Sequence, residues 1–287
     1  MVRLVLVLFI GILAASTASI FIKLCDAPAL IIAAYRLIFA SLILSPFAYY
    51  QRVWKGWNRS EIGWLILSGA FLSLHFAFWI GSLKYTSVAS SVVLVSTHPI
   101  FVGIGSWLIL KERLGVKLII GIGLSVLGSG VISFGDMSLS KEALVGDGLA
   151  LLGAITVTGY FLVGRKMRRN KDLLSYVFPV YTTAGFALIF LAFLWQNPFF
   201  GYHSSNYLFF FLLALIPQLI GHTAFNWALK YIPASLVAIT ILGEPVGSTI
   251  LAYFILGEGL TLWKMIGGIL IFIGIFIALW RDQSNSS

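Results

Sequence analysis

Apolar stretches of about twenty residues alternate with short polar breaks ten times along the chain. A helix rises 1.5 Å per residue, so about 20 apolar residues cross roughly 30 Å of hydrocarbon. The pattern predicts spans at 4–22, 29–50, 61–83, 88–110, 116–134, 147–164, 175–194, 207–229, 235–256 and 262–280. The breaks carry helix-ending chemistry: Asp26-Ala27-Pro28, Trp195-Gln196-Asn197-Pro198 and Ile232-Pro233. No connection is long enough to hold a separate soluble domain. Arg3, the apolar run after it and Ala14-Ala15-Ser16-Thr17-Ala18-Ser19 have the form of a signal peptide. We read this segment as a retained first helix, because the repeat described below needs it. The predicted class is an all-α membrane protein of ten transmembrane helices.

Composition points the same way. Of 287 residues, 60% are hydrophobic and only 10% charged, where a water-facing surface calls for about 25%. The 28 glycines suit helices packed closely in lipid. A lone cysteine, Cys25, excludes an intramolecular disulfide or a CxxC metal knuckle. A net charge of +9 could mean nucleic-acid binding, but its placement says otherwise. With the spans alternating, one side collects Arg3, Arg52, Lys55, Arg59, Lys111, Arg113, Lys117, the 165–171 cluster, Lys230 and Arg281. The other holds Lys23, Lys84, Lys141 and Lys264, a split of 14 to 4 with Arg36 left inside a span. That bias predicts both termini in the cytoplasm. The expected partners are the lipid bilayer and a small-molecule substrate, with no nucleic acid. No oligomeric state is read from the sequence.

The chain also repeats itself. Residues 83–136 lie over 229–282 at a constant shift of 146. Leu83-Lys84-Tyr85 falls on Leu229-Lys230-Tyr231, His98-Pro99 on Glu244-Pro245, Glu112 on Glu258, Gly121 on Gly267 and Gly128 on Gly274. Tyr35 and Tyr181 keep the register. Each half, 1–136 and 137–282 before a polar tail at 283–287, holds five spans. Five is odd, so the halves are two inverted five-helix repeats, the architecture that underlies alternating access in many transporters.

At these residues the chain resembles the drug/metabolite transporter superfamily, in its EamA-type ten-helix branch. The most specific pieces are Leu229-Lys230-Tyr231 leading into Ala234-Ser235, then Gly243-Glu244-Pro245-Val246 and Leu256-Gly257-Glu258, with their first-half echoes around Thr97-His98-Pro99 and Leu110-Lys111-Glu112. Gly146-Asp147-Gly148 resembles the usual start of the sixth helix. Ser16-Thr17 stands where relatives often carry a tryptophan. The resemblance implies a permease of the cell inner membrane, often an exporter of amino acids or other small metabolites, and no enzyme.

Several polar side chains fall inside the spans, where they need a partner or a water-filled cavity. Glu244 and His98 sit at equivalent depths, each before a proline that frees a carbonyl, of Ile241 or Val95. Pro99 and Pro245 are the expected hinges. His75, His222, Asn226, Trp79 and Tyr181 are candidates for the same lining, and Glu244 is the expected proton-coupling group. Arg36 suits a substrate carboxylate or phosphate, or pairing with Glu244. Glu112 and Glu258 read as interfacial caps of the following helices, and the 165–171 cluster as a headgroup contact. No HExxH, GxSxG, Walker or GxGxxG motif occurs. The expectation is a secondary active transporter exporting an amino acid or related compound, without a cofactor. The alternatives are a nucleotide-sugar or phosphorylated-metabolite exchanger of the same superfamily, and a haem-binding membrane electron carrier using His75, His98 and His222.

Overall fold

A computed structural model describes residues 2–55, 57–86, 88–133, 140–257 and 259–280. Glu258, Arg281, the proposed 136/137 boundary and the 283–287 tail lie outside the described residues. Ten apolar helical spans follow one another: α1 Val2–Leu24, α2 Ala29–Gln51, α3 Arg59–Ser82, α4 Val88–Leu108, α5 Val116–Ser133, α6 Lys141–Arg168, α7 Leu173–Leu194, α8 Ser204–Ala228, α9 Ala234–Leu256 and α10 Leu262–Leu279. Their outward faces are apolar, as lipid requires; Phe190, Phe193, Phe254, Phe272 and Phe276 all project from the bundle.

Local chemistry sets the ends. Asn58 and Glu61 form a reciprocal cap at the start of α3, each side chain accepting the other's backbone N–H at 2.9–3.0 Å. Ser140 accepts the Ala143 N–H and starts α6 before the predicted 147. At its other end α6 runs past 164 because Arg168 has a buried use: its Nε donates to the Asn226 carbonyl at 3.0 Å. Four spans are interrupted near mid-length. α1 breaks at Thr17, α4 at Ser96-Thr97 and α9 at Leu242, while α8 contains a π-helical segment, Ala214–His222, around Pro217.

Helix neighbours obey a two-fold scheme. α2 packs on α7, α4 on α9 and α5 on α10, each pairing one half with its equivalent in the other. The remaining contacts come in mirrored sets: α3–α6 with α8–α1, α4–α6 with α9–α1, and α3–α7 with α8–α2. The α5–α10 crossing shows the operator residue by residue. A side chain added at Gly121 would meet the backbone of Gly274, and one at Gly128 would meet that of Gly267. Under the 146 shift these are the same contact twice, running antiparallel. Ser125 donates to the carbonyl of Ile271, its own equivalent, at 3.3 Å and so lies at the pseudo-axis. The helix ends follow suit: Lys23 Nζ donates to the Leu83 carbonyl at 3.0 Å, as Arg165 Nη1 does to the equivalent Leu229 carbonyl at 2.6 Å. Two inverted five-helix repeats therefore build the fold.

Candidate functional site

The broken segments converge on one small space. Arg36 (α2), His75 and Trp79 (α3), His98 (α4), His222 (α8) and Glu244 (α9) share its wall, six of the residues expected from sequence. Apolar wall comes from Ala15 and Ala18 of α1 and from Phe161 and Phe225. The volume open to the centres of water molecules is about 40 Å³, enough for about three waters. The cavity thus holds very little free space, and any metabolite needs the surrounding helices to part.

Arg36 is fully buried. Its Nε donates to Gln218 Oε1 at 2.8 Å, and its guanidinium carbon lies 4.1 Å from the centre of the Phe76 ring. Nη1 is buried without a hydrogen-bond partner. The direct pair with Glu244 that the sequence allowed is not formed. The two side chains line one cavity but do not come within 4.0 Å of each other, in contrast to Arg165–Glu112, Arg169–Glu112 and Lys171–Glu61.

Two of the histidines are held by carbonyls. His75 Nδ1 lies 2.9 Å from the Gly153 carbonyl, with its ring stacked on Trp79 at 5.9 Å and 10°. His98 Nδ1 lies 3.0 Å from the Val95 carbonyl, the one that Pro99 leaves free. A carbonyl only accepts, so in both rings Nδ1 carries a hydrogen, and in the neutral form Nε2 is the nitrogen with the lone pair. His98 Nε2, His222 Nδ1 and Trp79 Nε1 are buried without partners. The His222 ring packs 5.3 Å from Phe76 and 6.5 Å from His75.

Glu244 enters the second segment of α9 just before Pro245, as His98 does before Pro99 in α4. It is half-buried, its exposed part belonging to the cavity. The break in α1 is tied to this segment. Ser248 Oγ donates to the Ser16 carbonyl at 3.1 Å, and Ser16 Oγ, bonded to the Ile12 carbonyl at 2.8 Å, also reaches the Glu244 carbonyl at 3.4 Å. Ser16 thus ties the break in α1, at Thr17, to α9.

Asn226 and Tyr181 are not on the wall. They belong to a buried network behind His222, where Asn226 Nδ2 donates to the Tyr160 hydroxyl at 2.5 Å and the His222 carbonyl at 2.8 Å. Tyr181 shares a hydrogen bond of 3.2 Å with Thr223. Asn226 Nδ2 and the Tyr181 hydroxyl thus help to hold α6, α7 and α8 together, while Asn226 Oδ1 is buried without a partner. Glu112 is no helix cap: Oε1 accepts from Arg165 Nε at 2.8 Å and Arg169 Nη2 at 2.9 Å. Much of the 165–171 cluster is consequently spent inside the protein, with Lys166 lying 3.6 Å over the Trp64 ring and Lys171 paired to Glu61 at 2.9 Å. Sequence reasoning passed over Gln218. Its signal was an amide next to Pro217 in the middle of an otherwise apolar run.

The space between the three cavity histidines, about 40 Å³ to the centres of water molecules, holds a few waters and not a porphyrin ring.

The EamA-like transporter family matches residues 2–134 and again 144–280. Two proteins of Archaeoglobus fulgidus, each described as an uncharacterized transporter, are similar to the chain. One is 27% identical over 88% of this chain and 88% of its own length, the other 25% identical over 93% and 92%. A protein of known crystal structure shares the fold with a TM-score of 0.79 at 18% identity, over 96% of this chain and 97% of its own.

Proposed function

Because the chain belongs to the EamA-like transporter family and is a multi-pass membrane transporter, we propose that it is a secondary active transporter working by alternating access around the central cavity. One observation supports this most. α4 and α9, equivalent helices of the two repeats, are both broken at the cavity beside Pro99 and Pro245, and their equivalent residues His98 and Glu244 both reach its wall. A small polar centre with a joint in each half is what rocking between two faces needs. Glu244 is the proton-coupling group, as the one carboxylate on this wall.

The substrate is an amino acid or related small metabolite and the direction is export, as in many members of the wider superfamily. The Lys/Arg distribution favours both termini in the cytoplasm of a cell with this protein in its inner membrane. Counterflow in proteoliposomes tests the reading. Protein loaded with an unlabelled metabolite should accumulate the labelled compound transiently above equilibrium. Simple equilibration, the behaviour of an open pore, would contradict it. A thermal-shift screen of metabolites supplies the compounds to load, since a ligand that prefers the native state raises its stability.

A further inference from the structure

Among the described residues of the cavity wall Arg36 is the one permanent charge, and its hydrogen bonding is incomplete. The reason lies in α8. A π turn widens the helix and rotates the residues that follow it, and such segments recur at functional sites. Here Gln218 sits inside the π segment, fully buried, with Oε1 on the Nε–H of Arg36. One of the five guanidinium N–H donors is used from the side, Phe76 covers one face, and Nη1 is left buried and unmatched. Trp79 Nε1, on the same wall, is a second unmatched donor.

We propose that Arg36 anchors a carboxylate of the transported compound, and that Gln218 is the positioning residue that aims its guanidinium. The proposal rests on the transport reading above and narrows it to substrates bearing a single carboxylate. A planar carboxylate matches the fork of a guanidinium held at its Nε. A phosphate dianion does not match this wall. It would meet one permanent cation, the Glu244 carboxylate, and the rings of His75 and His98, whose Nδ1 atoms are already engaged by the Gly153 and Val95 carbonyls. Nucleotide sugars and phosphorylated metabolites are therefore disfavoured as cargo.

The test uses purified full-length protein and matched head groups on acetyl, propionyl, alanyl and phenylalanyl stems: the acid, its carboxamide, the corresponding amine and the phosphate monoester. Dissociation constants come from thermal shift. At least one acid should bind, with its carboxamide weaker by about a hundredfold, the size expected when a buried charge pair is removed. Gln218→Glu places a carboxylate beside Arg36 from within. It should weaken the acid by about thirtyfold or more while leaving the melting temperature of the empty protein unchanged or higher. Gln218→Met should reduce the acid-to-carboxamide ratio, which a purely structural role for Gln218 would leave alone. Arg36→Gln should abolish that ratio, and Gln218→Glu serves if Arg36→Gln does not fold. Binding of no acid, equal binding of acid and carboxamide, tighter binding of a phosphate ester or amine, or an unchanged ratio in Gln218→Glu would each overturn the proposal. An amine exchanged in counterflow with no acid bound removes the anchor and keeps the transporter. An acid bound through Arg36 with no counterflow does the reverse.

Discussion

The α5–α10 crossing offers a stability prediction that can be worked from distances. At Gly128 an added Cβ would stand 2.7 Å from the Gly267 carbonyl oxygen and 2.9 Å from the Ile271 nitrogen. Ordinary contact begins near 3.4 Å, so Gly128→Ala requires the two backbones to part by about 0.7 Å (3.4 − 2.7). Both obstacles are main-chain atoms, and no side-chain rotation relieves them. A gap of 0.5–1 Å forfeits roughly a quarter to a half of each dispersion contact along the seam, and overpacking costs about 1–3 kcal/mol. The internal control is Gly130, two residues on and facing lipid, where an added Cβ meets nothing within 4 Å. Gly130→Ala should be neutral or stabilising by up to about 1 kcal/mol through helix propensity. The two variants should therefore differ by about 1–4 kcal/mol. Denaturation in mixed detergent and SDS, followed by tryptophan fluorescence, measures the difference. Gly267→Ala strikes the same crossing from the other helix, so the double variant should lose less than the sum of the singles. Equal stability of Gly128→Ala and Gly130→Ala, or strict additivity of Gly128→Ala with Gly267→Ala, would refute the close two-fold contact.

Three further outcomes are expected. Glu244→Gln should flatten the pH dependence of proteoliposome uptake, and uptake unchanged in rate and pH profile would remove Glu244 from the mechanism. Glu112→Gln should lower unfolding free energy by about 2 kcal/mol, since it weakens charge-assisted hydrogen bonds to both Arg165 and Arg169; the melting temperature reads this. Pro99→Ala and Pro245→Ala return a donor to the Val95 and Ile241 carbonyls and straighten the joints, so exchange should slow with little change in substrate affinity. Faster exchange in both would contradict the hinge role.

Much of the architecture was legible because lipid imposes simple rules. α2, α4 and α7 begin within two residues of their predicted positions, since Pro28, Ser87-Val88 and Asp172 mark where the apolar run starts. α6 was read too short at both ends. Its first turn is polar and its last carries Arg165 and Arg168, which donate to carbonyls at and just past the end of α8 that no local pattern announces. The six cavity residues were legible because each is polar or aromatic at mid-span depth, yet depth alone does not fix rotation about the helix axis. Asn226 and Tyr181 therefore stood beside them on equal terms, although they face the α6–α7–α8 network. Gln218 escaped notice for a related reason: a π segment shifts the helical phase, and its function is visible only once Arg36 is seen against it. Glu112 was misread because its partners come from the end of another helix, more than fifty residues away.

The antiparallel relation of the two halves is open to one direct measurement. In a Cys25→Ser background, single cysteines at Ser60, at the start of α3, and Ser205, at the start of α8, occupy equivalent helix ends of opposite repeats. With a membrane-impermeant maleimide added to oriented vesicles, one position should label only from outside and the other only after the vesicles are opened. Labelling of both from the same face would contradict the inverted pair, and the alternating-access account with it.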